Sequence, residues 1–136
     1  MTSTWIPVVA GAFEREDGLW LMHKRPAGKH HGGLWEFPGG KVEPTEIPVE
    51  SLVRELREEL GVVIDAVDCE PVGFADNARD ARQKPIVILL YRIVRWTGIP
   101  ASLEGGAIEW YTPQQIAKLD KPPLDQVLAG RLFAGS

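Results

Sequence analysis

Apolar residues along the chain come in short runs separated by clusters of Gly, Pro, Asp and Asn, and the spacing inside each run predicts an element. Residues 5–13 form a Val- and Ile-rich run that predicts a buried strand. Asp17-Gly18 offers a hairpin turn into a second strand, 19–25. Residues 26–33 have loop chemistry and no period, and 34–37 is a short extended piece stopped by Pro38-Gly39-Gly40. Between 47 and 60 the period changes: Val49, Leu52, Val53, Leu56 and Leu60 recur at helical spacing and are expected to face the core. Pro48 suits the first turn of that helix, and Gly61 suits the position just past its end. Strand-like runs follow at 62–67, 71–75 and 85–94, with a polar loop at 76–84. Residues 108–111 read as another short strand, Thr112-Pro113 as the capped start of a small helix, and 124–133 as a closing amphipathic helix. Strands and helices mix without regular βαβ alternation, which predicts an α+β domain with a mixed sheet between helices. No repeat or linker interrupts it, so residues 1–136 are expected to form one domain.

Composition narrows the function classes. The formal net charge of −4 argues against a nucleic-acid duplex as partner, since duplex binding depends on clustered Lys and Arg. No basic-then-apolar leader and no long apolar run is present, so neither a secretory signal nor a membrane span is expected. The only cysteine, Cys69, forbids an internal disulfide and suits a reducing cytoplasm. Most of the net negative charge lies in residues 40–62, where Glu43, Glu46, Glu50, Glu55, Glu58 and Glu59 face only Lys41, Arg54 and Arg57.

Within that segment Glu55, Glu58 and Glu59 stand at helical positions i, i+3 and i+4, which places three carboxylates on one face. Like charges so spaced destabilise a helix by roughly 0.2–0.5 kcal/mol per pair. Near a helix C-terminus the macrodipole disfavours each anion by a further ~0.3–1 kcal/mol. Arg54, four residues before Glu58, offsets part of this. The spacing leaves two readings open, a solvated acidic face or a site for a hard cation such as Mg²⁺ or Mn²⁺ completed by substrate phosphates. Gly39 and Gly40, just before the helix, free the backbone for close approach to a ligand.

The stretch from Gly40 to Val62, with Glu46, Arg54-Glu55-Leu56, Glu58-Glu59 and Gly61, resembles the Nudix box Gx5Ex7REUxEExGU (U apolar) at every specified position. The resemblance implies the Nudix fold, a mixed β-sheet sandwiched between helices with the box as loop–helix–loop, and hydrolysis of a nucleoside diphosphate linked to another group. It implies metal ligation by Glu55, Glu58 and Glu59, with the Gly40 carbonyl as a further ligand, and bracing of the box by Arg54 and Glu46. Mg²⁺ is the implied ion, with Mn²⁺ able to substitute. Lys24-Arg25-Pro-Ala, Leu34-Trp-Glu-Phe-Pro-Gly-Gly-Lys41, Glu104-Gly-Gly-Ala-Ile-Glu109-Trp110 and Pro122-Pro123-Leu-Asp125 are similar to stretches of the MutT-like branch, the nucleoside triphosphate pyrophosphohydrolases that sanitise nucleotide pools. That similarity implies a small-molecule nucleotide as the partner, a cytoplasmic setting, and a monomer or homodimer.

It also assigns candidate roles. Glu104 is the first candidate for general base, with Glu58 its rival; the alternative for Glu104 is a surface loop acid. Asp125 falls at the base-reading position, where MutT has asparagine and the cytidine-triphosphate relatives tend to carry aspartate. Substrates would thus be oxidised or cytidine-type triphosphates, and Asp125 could instead cap the closing helix. Arg25 could clamp a phosphate or form an ion pair. Lys41 could contact phosphate or be solvated, and Phe37 could stack on a base or fill the core. His30 matches a base-neighbouring position but could be a solvated loop residue, and Trp20, Trp96 and Trp110 read most simply as core. Other Nudix substrates (ADP-ribose, nucleotide sugars, capped RNA) and a catalytically silent nucleotide sensor are the alternative functions; an intact set of box carboxylates disfavours the sensor.

Overall fold

The computed structural model describes residues 5–77, 80 and 82–134. Its strands are β1 (Ile6–Phe13), β2 (Trp20–Lys24), β3 (Trp35–Glu36), β4 (Gly39–Lys41), β5 (Cys69–Asp76), β6 (Ile86–Ile93) and β7 (Ala107–Tyr111). The helices are α1 (Pro48–Leu60), α2 (Pro113–Lys118) and α3 (Pro123–Leu132). A mixed sheet in the order β4-β1-β6-β5 pairs β1 with β6 in parallel, while the β1–β4 and β5–β6 pairs are antiparallel. A separate antiparallel sheet has the order β3-β2-β7.

Alternation along the strands divides the core in two. Val9 and Phe13 of β1, Leu21 of β2 and Ile93 of β6 join Leu52, Leu56 and Leu60 of α1. Ala10 and Ala12, Trp20 and Met22, and Leu90 belong to the other cluster, with Ile116 of α2 and Leu128 and Ala129 of α3. Side chains two apart on a strand share a face, so His23, two residues after Leu21, is carried toward α1.

Several expectations are met closely. α1 begins at Pro48 and closes on Gly61, whose left-handed φ of 75° lets its N–H bond the Arg57 carbonyl at 2.9 Å. Thr112 caps α2, its hydroxyl accepting from the Gln115 amide at 3.1 Å. Trp20 is core, while Trp96 and Trp110 are half-buried against the first cluster.

Others are corrected. Residues 62–67 form no strand: Val63 makes an isolated bridge with Thr97, and a 3-10 turn spans Ala66–Asp68. The in–out alternation is real, with Val62 and Ile64 buried and Val63 exposed, but the pairing stops at the Val63–Thr97 exchange of N–H···O bonds. The strand expected at 71–75 runs from Cys69 to Asp76 on the edge of the sheet, where Pro71 removes no interior ladder bond and a bulge falls between Pro71 and Gly73. Gly39-Gly40 does not stop the extended chain but starts β4, in the other sheet from β3. The turn at Asp17-Gly18 leads into β2, yet β1 and β2 part into different sheets, joined only by the Glu14–Trp20 bridge just past the end of β1. In the expected polar loop at 76–84, residues 78, 79 and 81 lie outside the described residues. α3 is less cleanly amphipathic than expected, with Asp125 on its buried side and Val127 exposed.

Candidate active site

The burial of Leu52, Leu56 and Leu60 fixes the rotation of α1 and so the placement of its carboxylates. Glu58 points outward, its side chain 51% exposed, while Glu55 is largely and Glu59 almost wholly buried. The Glu55 carboxylate lies directly on Gly40: a Cβ on that glycine would come 2.6 Å from Oε1 and closer still to Oε2. Gly39 is needed for another reason, since a Cβ there would overlap the Val9 carbonyl oxygen on β1.

Arg54 ties this face together. Its Nε donates to Glu46 Oε2 at 2.9 Å, its Nη1 to Glu55 Oε1 at 3.0 Å and Glu58 Oε2 at 3.3 Å, and its Nη2 to the Lys41 carbonyl at 3.2 Å. The guanidinium, with the Ser51 hydroxyl donating at 2.7 Å, holds the Glu46 carboxyl down at about 2. Glu55 moves the opposite way, raised by burial despite Arg54, with the neighbouring charges of Glu58 and Glu104 adding to the rise. The loop before β7 is tied to the end of α1 by the backbone, the Leu103 amide donating to the Glu59 carbonyl and the Ala101 amide to the Leu60 carbonyl, both at 3.0 Å, and Glu104 itself is exposed.

At the inner end of the face, Glu59 meets residues that sequence reasoning did not single out. His23 on β2 is opposite Glu36 on β3 in the ladder, and both turn toward α1. His23 Nδ1 lies 3.4 Å from Glu36 Oε2 and 3.3 Å from Glu59 Oε1, and Nε2 contacts the Gly105 carbonyl at 3.1 Å. Glu59 Oε1 is buried and accepts no hydrogen bond from the described residues. Burial, with Glu36 and Glu55 nearby, raises the Glu59 carboxyl well above its usual range. Burial disfavours protonation of His23, but the two carboxylates and the Gly105 carbonyl outweigh it and its pKa is raised. No spacing in the sequence links positions 23, 36 and 59; the only signal was a histidine inside the apolar strand Trp20–Lys24.

A cleft of about 1260 Å³ opens beside Gly39, Gly40 and Lys41. Arg25, His30, Phe37 and Asp125 also line it, so the residues expected to bind substrate do share one cavity. Their contacts within it differ. Arg25 forms the ion pair, Nη1 to Glu36 Oε1 at 3.0 Å, and donates from Nε to the His30 carbonyl at 2.6 Å. Phe37 is a core side chain, 3% exposed, that also forms part of the cleft wall. His30 and Lys41 are exposed. Asp125 is 5% exposed, and its Oδ2 accepts from the Phe37 amide at 3.1 Å, so it fastens α3 to the segment entering β4 rather than capping its own helix at Pro122. Burial pushes its carboxyl up to about 7, with Glu36 adding to the effect.

The cleft wall and the carboxylates of α1 meet at Gly40, which lines the cleft on one side and packs against Glu55 on the other, an arrangement suited to phosphate chemistry assisted by divalent ions. Residues 5–130 match the NUDIX domain, and the chain belongs to that family and is a hydrolase of it. It is similar to the Escherichia coli K12 protein named CTP pyrophosphohydrolase, 40% identical over 120 residues that cover 88% of this chain and 85% of that protein. It is also similar to an 8-oxo-dGTP diphosphatase of Proteus vulgaris, 40% identical over 89 residues, 65% of this chain and 76% of that protein. Among solved structures, the solution structure of the E. coli ORF135 protein superposes with a TM-score of 0.83 at 35% identity, covering 96% of this chain and 90% of that one.

Proposed function

We propose that this chain hydrolyses nucleoside triphosphates to the monophosphate and pyrophosphate with Mg²⁺, or Mn²⁺ in its place, and so clears unwanted triphosphates from the cytoplasmic pool. The observation that carries this reading is the junction at Gly40. The Glu55 carboxylate packs on the same glycine that lines the cleft, and Asp125 lines that cleft as well. A phosphate chain laid along Gly40 and Lys41 would reach the carboxylates while its nucleoside occupied the cleft.

Glu55, Glu58, Glu59 and the Gly40 carbonyl would hold the ions. Their chemistry fits that role. Glu59 Oε1 is buried without a hydrogen-bond partner among the described residues, and burial raises both Glu55 and Glu59, which hard cations would relieve. When bound, such ions neutralise phosphate charge, polarise the attacked phosphorus and lower the pKa of a coordinated water. Arg54 positions the box through Glu46 and Glu55. Glu104 serves as the base that takes the proton of the attacking water, with Glu58 the alternative. As the water oxygen bonds to phosphorus, the bond to the leaving phosphate breaks and pyrophosphate departs. Asp125 reads the base: its ionised carboxylate accepts from an exocyclic amino group such as that of cytosine.

A screen of canonical, oxidised and methylated nucleoside triphosphates by pyrophosphate release tests the proposal. Cytidine triphosphates, or an oxidised guanine triphosphate, are expected to exceed thymidine triphosphate. Turnover of ADP-ribose or nucleotide sugars with no triphosphate hydrolysed would overturn it.

A further inference from the structure

We propose that His23 Nδ1, Glu36 Oε2 and Glu59 Oε1 form a three-ligand site for a divalent first-row transition ion, with Zn²⁺ its best occupant. The site shares Glu59 with the box but draws its other ligands from the β2–β3 ladder, and it does not depend on which nucleotide is hydrolysed.

The distances fit. One donor atom from each of the three residues lies within 4.8 Å of the other two, and both separations from His23 Nδ1 are 3.3–3.4 Å. A tetrahedral ion bound at about 2.05 Å holds its ligands about 3.35 Å apart. Glu59 supplies an independent sign: its residue is only 6% exposed, and the oxygen aimed at this point accepts no hydrogen bond from the described residues. Such an atom in a protein interior is costly; its close neighbour is His23 Nδ1 at 3.3 Å, and an ion held between the two would satisfy both.

The surroundings are arranged as those of a ligating histidine and carboxylate are. With Nε2–H donating to the Gly105 carbonyl at 3.1 Å, Nδ1 is left as the nitrogen that can ligate. That carbonyl reaches the ring because Gly105 and Gly106 both take left-handed φ, 92° and 79°. A Cβ on Gly106 would overlap the Lys24 carbonyl oxygen and stand 3.2 Å from His23 Nε2. On the other side, Arg25 Nη1 holds Glu36 Oε1 at 3.0 Å, which turns Oε2 toward the histidine. Ligands of one nitrogen and two carboxylate oxygens suit zinc better than magnesium, which prefers oxygen alone.

The test uses the full chain without nucleotide and Zn²⁺ alone, read by calorimetry and by ¹⁵N NMR of the histidine rings. His23, His30 and His31 are the only histidines in the chain, so a His30→Ala/His31→Ala double variant isolates His23 without touching it. In that variant Zn²⁺ is expected to move Nδ1 to a metal-bound shift while Nε2 keeps its proton. His23→Gln should weaken Zn²⁺ binding at least ~10-fold. Glu58→Gln should keep the nitrogen signature, since Glu58 belongs to the box alone; triphosphate hydrolysis, assayed separately with Mg²⁺, reports on the proposed function. A doubly protonated His23 ring unmoved by Zn²⁺ would mean an ion pair only and would overturn the proposal. Unchanged Zn²⁺ affinity in folded His23→Gln would do the same.

Discussion

Replacing Gly40 by alanine separates the chemistry of the site from the stability of the fold. Gly40 is not among the positive-φ positions, so alanine meets no backbone penalty in β4. The conflict is with a side chain: the new Cβ would stand 2.6 Å from Glu55 Oε1 and closer to Cδ and Oε2. Ordinary contact needs roughly 3.4 Å or more, so the carboxylate must retreat by about 1 Å or swing to another rotamer. Swinging outward would break the 3.0 Å bond to Arg54 but return a carboxylate with a burial-raised pKa to water. These effects oppose one another, so the net stability change should stay within about 1 kcal/mol. Catalysis has no such compensation, because a ~1 Å misplacement of a positioning group can lower the rate ~100-fold. Pyrophosphate release beside a thermal melt is the assay, with a fall in kcat/KM of about that size and little change in Tm expected. A folded variant working within about threefold of the parent rate would remove Glu55 from the site. Gly39→Ala is the contrasting case: overlap with the Val9 backbone should disrupt β4 itself and lower Tm and activity together.

Glu58→Gln removes a half-exposed charge that pairs with Arg54, so folding should be preserved while activity falls at least ~100-fold; excess chelator should abolish parent activity, and full turnover in chelator would refute the metal requirement. Glu104→Gln should lower kcat with little change in KM, and strong rescue by raised metal concentration would reassign Glu104 as a ligand. Asp125 titrates at about 7, so its acceptor charge grows between about pH 6 and pH 8; the preference for cytidine over thymidine triphosphate should rise over that window and lose this pH dependence in Asp125→Asn. The sign for stability is the reverse: the folded chain holds the Asp125 proton more tightly than the unfolded one, so this group's contribution falls as pH rises from about 4 to about 7, and Asp125→Asn should gain relative to the parent on going from about pH 5 to pH 8 in denaturant titrations. Glu59→Gln removes a buried carboxylate whose ionised form burial disfavours, so the metal-free variant should melt above the parent in chelator while losing activity; a lower Tm there would show that the His23 ion pair outweighs the burial.

Helix α1 was legible because its signals are local. Apolar spacing, Pro48 and Gly61 act within a turn or two, and Glu55, Glu58 and Glu59 share a face by geometry alone. What was not legible depends on partners distant in the chain. Gly39 and Gly40 read as breakers and as room for a ligand, but each is required by a close neighbour within the fold, the Val9 carbonyl and the Glu55 carboxylate, that no local rule supplies. Residues 62–67 alternate like a strand, yet their backbone finds a single bridge and a turn. His23 reads as one polar residue in an apolar strand. Its meeting with Glu36 follows from the β2–β3 register, and its meeting with Glu59 from the docking of α1, and neither is encoded by spacing. Phe37 and Arg25 show the remaining ambiguity, since a side chain can line a cleft while its main contacts are core packing or an ion pair.

The charges of the site follow a graded order that bears on how it works. Arg54 matches Glu46 fully and shares what remains with Glu55 and Glu58, so the carboxylates most firmly neutralised are those furthest from the buried end. Glu46, held at about 2, is structural at any working pH. Glu55 and Glu59, raised by burial, are the groups whose ionised form the protein alone supports least. A cation arriving at those two therefore recovers a desolvation cost already incurred on folding, and part of that cost becomes binding affinity. Arg54 cannot serve in its place, because its guanidinium is fixed by Glu46 and the Lys41 carbonyl and cannot reach both buried carboxylates at once. Of the six acids in residues 40–62, the rotation of α1 thus turns Glu55 and Glu59 inward, where the proposed divalent ions would offset their charge.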